Sequence, residues 1–106
     1  MNFEVCRTIS TEHPSLPGHF PRAPIVPAVV ILDEVVTALN EWRPDSRVVG
    51  IPVVKFLAPL RPGQPFTICL SPTNDDETEM DVRCRVENHL IVEGRLRIYR
   101  GLATCA

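Results

Sequence analysis

The stretch LPGHFPRAPIVPAVVILDEVV, Leu16 to Val36, limits what this chain can fold into more than any other. Four prolines in its first twelve residues remove backbone donors and confine the loop from Ser10 to Val26 to extended and turn forms. Pro27 suits the first helical position, where its missing N–H costs nothing. Five apolar residues, Ala28 to Leu32, follow before Asp33, and the helix is predicted to run over Ala28–Trp42 and stop before Pro44. A stiff loop with a histidine, His19, thus feeds an apolar helix with an embedded carboxylate.

Strands account for the remainder. Phe3 to Ile9 is predicted as the first. Val48 to Leu57 is rich in β-branched residues and reads as the second. RPGQ, Arg61 to Gln64, fits a type II turn. Phe66, Ile68 and Leu70 alternate with Thr67, Cys69 and Ser71. Met80, Val82, Cys84 and Val86 then alternate with Asp81, Arg83, Arg85 and Glu87, the period of a half-buried strand. Asn88 and His89 are expected to form a hairpin turn, with a last strand from Leu90 to Tyr99. One strand, one helix and about four more strands give an α+β fold, with a single domain over residues 1–106. Uncovered sheet edges favour pairing with a second copy.

Composition excludes several classes. With 44% hydrophobic and 23% charged residues the chain is globular. A formal net charge of −2 gives no electrostatic footprint for nucleic acid. The apolar run Ala23 to Leu32 is too short for a membrane span. MNFEVCRTIS lacks an apolar signal core, and Cys6, Cys69, Cys84 and Cys105 form no C-x-x-C pair, so a cytoplasmic protein with reduced thiols is expected.

The segment GHFPRAPIVPAVVILD resembles the signature of the β-hydroxyacyl-acyl carrier protein dehydratases, in which an H-F-P loop leads into the central helix and an acidic residue lies fourteen positions beyond the histidine. His19 and Asp33 have that spacing. VVKFLAPLRPGQPFTICLS, Val53 to Ser71, is similar to the family's strand–turn–strand element. DVRCRVENHLIVEGRLRIY resembles its last hairpin, in which a short residue near Gly94 precedes the end strand. The resemblance implies a hot-dog fold, an antiparallel sheet wrapped around one central helix, and a hydro-lyase that removes water from a 3-hydroxyacyl thioester to give a trans-2-enoyl thioester. It implies fatty acid or polyketide-like biosynthesis, with the acyl group carried by acyl carrier protein or CoA. It also implies a homodimer or higher even oligomer, a heterodimer being the alternative, in which the histidine of one subunit works with the acid of the other. No metal or cofactor is implied. Aspartate at the acidic position is more like the branch that also isomerises double bonds, although isomerase activity, at most weak here, does not follow from that one residue.

The chemistry suits these residue types. A neutral imidazole at His19 can take the C2 proton near neutral pH. The departing C3 hydroxyl needs an acid, and a carboxyl at Asp33, desolvated among Val29, Val30, Val35 and Val36, is favoured in its proton-donating form. Backbone N–H groups around Ala28 and Val29, at the positive end of the helix dipole, can receive charge growing on the thioester oxygen. Phe20 and the helix valines are expected to line an acyl tunnel. Three positions depart from the family pattern: Arg22 stands for a glycine at the pocket mouth and is a candidate contact for an acidic carrier, Ala28 for the helix-starting glycine, and Thr37 for a substrate-binding glutamine.

Plainer readings exist for each. Asp33 shares a helical sector with Glu34, Thr37, Asn40 and Glu41, and without the loop motif it would be taken for part of a solvated face. Glu34 is a substitute acid, but it points about 100° away around the helix. Arg43, Arg47, Lys55 and Arg61 fit scattered surface charge as well as carrier docking. Arg83, Arg85, Arg95 and Arg97 fit a solvated sheet face paired with Asp81, Glu87 and Glu93. The three departures motivate a non-catalytic acyl-thioester-binding subunit of a hetero-oligomer. An acyl thioesterase, with Asp33 activating water, is a further alternative.

Overall fold

The computed structural model describes residues 2–10, 25–76 and 78–100. Its elements run β1 (Phe3–Arg7), α1 (Ala28–Trp42), β2 (Ser46–Phe56), β3 (Phe66–Pro72), β4 (Glu79–Val86) and β5 (His89–Arg100). The five strands form one antiparallel sheet in the order β1-β3-β4-β5-β2, and α1 packs on one face. This is the α+β arrangement expected from the sequence.

Alternation explains the sheet. Phe66, Ile68 and Leu70 on β3, Met80, Val82 and Cys84 on β4, and Val92, Leu96 and Ile98 on β5 all point to the helix side and are buried. The helix answers with Val30, Ile31, Val35, Ala38 and Leu39, its buried stripe. Each of the Val, Leu, Ile, Phe and Met side chains among these contributes about 1.5–3 kcal/mol by leaving water, which holds the helix across the sheet. At its C-terminal end Trp42 stacks on Phe3 of β1, ring centroids 5.5 Å apart, and the Arg43 guanidinium lies 4.3 Å from the Trp42 ring centre.

The turns follow local chemistry, with two corrections. The Arg61–Gln64 turn forms as expected: Gln64 N–H donates to the Arg61 carbonyl at 3.1 Å and Gly63 takes φ 81°. The last hairpin turns on Glu87 and Asn88, not Asn88 and His89. Val86 pairs with His89, and Glu87 adopts a left-handed φ of 56°. Gly94 lies inside β5, within the last strand expected from Leu90 to Tyr99, and β2 passes so close that a Cβ there would sit 2.7 Å from the Val53 carbonyl oxygen. Pro27 caps the helix from outside, with extended φ −61° and ψ 149°, and the first helical residue is Ala28.

β2 is the long edge. Its pairing with β5 shifts register twice between Val48 and Val53, and Pro52, which has no N–H to donate, sits there as edge strands permit. No helix among the described residues is long and apolar enough to cross a membrane.

Candidate active site

The start of α1 borders an apolar groove. Pro27 supplies no side-chain cap. Its carbonyl accepts from Val30 N–H at 3.0 Å and Ile31 N–H at 3.4 Å, which leaves the amides of Ala28 and Val29 without an acceptor among the described residues. Val26 N–H donates to the Leu60 carbonyl at 2.8 Å and pins the incoming chain against the segment that follows β2. Between them lies a groove of about 320 Å³ walled by Ile25, Ala28, Ile31, Phe56 and Leu60. Free amides at a positive helix end beside an apolar groove can hold a carbonyl oxygen with its hydrocarbon tail alongside.

Asp33 lies one turn beyond Val29 and one turn before Thr37, and all three are exposed, Val29 at 61%. Glu34 faces elsewhere: Arg7 of β1 lies 3.6 Å from it and also bonds Glu41. The solvated acidic face foreseen on the wheel therefore divides. Glu34 and Glu41 tie the helix to β1, while Asp33 belongs to a stripe that the described residues leave exposed.

Two expectations about the pocket change. Among the described residues Asp33 is exposed, because Val30 and Val35 turn into the core and Val29 is itself exposed. Nor do the helix valines wall the groove; Ala28 and Ile31 do, opposite the FLAPL segment, Phe56 to Leu60, whose role the strand pattern did not reveal. The signal was present as two exposed large apolar residues, Phe56 and Leu57, beside a proline. His19, Phe20 and Arg22 lie outside the described residues.

The remaining candidates resolve into structure. Arg95 pairs with Asp81 at 3.5 Å, as expected for a solvated sheet face. Arg85 instead pairs with Glu4 of β1 at 3.6 Å and donates to Cys69 Sγ at 2.9 Å. Burial raises the Cys69 thiol pKa, only partly offset by Arg85. Cys6, Cys69 and Cys84 are free thiols, and burial pushes Cys84 up to about 12, an inert core residue.

Solved structures share this architecture. The dehydratase heterocomplex ApeI:P from Xenorhabdus doucetiae aligns with a TM-score of 0.79 at 21% identity, over 93% of this chain and 88% of that one. A probable thioesterase from Bartonella henselae aligns at 0.71 and 12% identity, over 92% and 87%. An acyl-CoA hydrolase mutant from Staphylococcus aureus, in complex with coenzyme A, aligns at 0.70 and 11% identity, over 96% and 65%. No curated protein matches the chain. One helix against a five-stranded antiparallel sheet, superposable on these proteins, is the hot-dog fold. The model of the ApeI-like family, described as ApeI dehydratase, matches residues 1–95, and the chain belongs to that family. The expectation of a hot-dog dehydratase stands at that level; the β-hydroxyacyl-acyl carrier protein family suggested by the loop is supported only through the shared superfamily.

Proposed function

We propose that the chain is a 3-hydroxyacyl-thioester dehydratase whose substrate arrives on acyl carrier protein or CoA. The observation that carries this is the pair of amides at Ala28 and Val29, without an acceptor among the described residues, beside an apolar groove in a member of a dehydratase family. In the proposed reaction the His19 imidazole takes the C2 proton, the C2–C3 double bond forms, and the C3 oxygen leaves as water with a proton from the carboxyl. The amides of Ala28 and Val29 bind the thioester oxygen as it gains charge. The acyl chain lies in the groove, and Phe20 is assigned to contact it.

Asp33 needs a cover to act as an acid, and its exposed stripe with Val29 supports a second hot-dog subunit as that cover. His19 then works with an acid from across the interface, and Asp33 with a histidine from across it. Arg22 and Thr37 are assigned to the carrier and the substrate respectively. A role in fatty acid or polyketide-like biosynthesis belongs to the same proposal.

Hydrolysis is the second reading, favoured by the likeness to an acyl-CoA hydrolase and by the exposure of Asp33, which would then activate water. Product analysis separates the two. The purified assembly, given a trans-2-enoyl thioester, is expected to add water across the double bond and keep the thioester. Release of free thiol would replace dehydration with hydrolysis, and absence of any turnover would leave an acyl-thioester-binding subunit.

A further inference from the structure

We propose that the Ala28 methyl group selects the acyl chain, confining the groove to thioesters that carry no branch at C2, the carbon next to the carbonyl. This rests on the reading above in which the amides of Ala28 and Val29 receive the thioester oxygen, and it adds the class of acyl group admitted there.

Ala28 is the first helical residue, is exposed, and lines the groove. On an α-helix every Cα–Cβ bond tilts toward the N-terminus, the direction in which the first N–H groups also point. The methyl group and the amide of this one residue therefore project into the same space. An oxygen held by that amide brings its carbonyl carbon, and C2 with it, against the methyl. Atoms further along the chain pass on to Ile31 and Leu60, both buried, which form the floor.

The facing wall, Leu57 to Leu60, is fixed at both ends. Leu57 N–H donates to the Ile91 carbonyl of β5 at 2.8 Å, and the Leu60 carbonyl accepts from Val26 N–H at 2.8 Å. Pro59 stiffens the link between them. With a helix on one side and a segment held by backbone hydrogen bonds on the other, a branch at C2 forces the carbonyl off its donors. Total room is not the limit. A groove of about 320 Å³ is within the range of small-molecule sites, so the restriction is local to Ala28 and a branch further along is accepted.

The test is a ratio read within each protein, so that the intrinsic reactivity of each substrate cancels. The wild-type assembly and its Ala28→Gly variant, which keeps the amide and removes the methyl, are given a trans-2-enoyl thioester, its 2-methyl derivative and its 4-methyl derivative. The preference in kcat/KM for the unbranched over the 2-methyl compound should fall about tenfold or more in Ala28→Gly, the scale of one methyl group in a packed site, and the preference over the 4-methyl compound should stay within about twofold. An unchanged 2-methyl ratio, or an equal change at both branch positions, would overturn the proposal. Should the glycine variant fail to fold, Ala28→Val decides it by moving the 2-methyl ratio the opposite way. Affinities of unreactive ketone analogues, with a methylene in place of the sulfur, are measured alongside by calorimetry. A preference against the 2-methyl analogue that Ala28→Gly removes, in a protein that turns nothing over, would uphold the selection and sink the dehydratase reading. Dehydratase turnover without that preference would do the reverse.

Discussion

Asp33 and Glu34 are neighbours on α1 with opposite engagements: Glu34 lies 3.6 Å from Arg7 of β1, whereas Asp33 stands exposed in line with Val29 and Thr37. Glu34→Gln should therefore leave kcat within about twofold and cost only about 0–1 kcal/mol, the range of partly exposed ion pairs. Steady-state kinetics and urea unfolding of this one variant check both halves.

The amide of Ala28 can be removed without removing the helix. Pro27 already holds the extended backbone that a following proline requires, and the first helical position tolerates proline. Ala28→Pro should keep the helical circular dichroism signal while lowering kcat by about 10²-fold or more, the usual loss of an oxyanion donor. Unchanged kcat would assign the carbonyl oxygen to another donor.

Gly94 marks where β2 and β5 touch most closely. A Cβ would lie 2.7 Å from the Val53 carbonyl oxygen and 2.9 Å from Val54 Cα, both backbone atoms that cannot rotate away. Gly94→Ala is expected to destabilise the chain by about 1–3 kcal/mol, measured by denaturant unfolding.

Cys84 provides a pH marker of the core. Its folded-state pKa, near 12, lies above the ordinary 9.0, so the neutral thiol is the favoured form in the folded chain. The stabilising effect is complete below about pH 9 and is lost as pH rises through the folded value. Cys84→Ser, which has no titrating thiol, should show a shallower fall in stability above pH 9 than the wild type. At pH 8 an alkylating reagent should modify exposed Cys6 well before Cys84, as read by peptide mass spectrometry.

Much of the fold was legible because period and burial coincide. β3 and β4 alternate strictly, and α1 is bounded by Pro27 and Pro44, so neither needed tertiary information. The Glu87 turn was misplaced by one residue because a left-handed glutamate carries little local signal. The reason for a glycine at position 94 was not legible, because it lies in a neighbouring strand. The loop–helix motif singled out Asp33 and the amides of Ala28 and Val29, whose roles belong to the proposed function. The groove wall from Phe56 to Leu60 was not legible, since it depends on where the chain leaves β2 relative to the helix start. Nor could a helical wheel say that Glu34 and Glu41 would be claimed by Arg7.

The most direct test of the account is the rate of 3-hydroxyacyl thioester dehydration by the assembled protein carrying His19→Ala or Asp33→Asn. Each substitution should lower kcat by about 10²-fold or more, as loss of a positioned acid or base does, while assembly and thermal unfolding stay as in the wild type. Retention of most activity by either variant would contradict the pairing of imidazole and carboxyl on which the proposed dehydration depends.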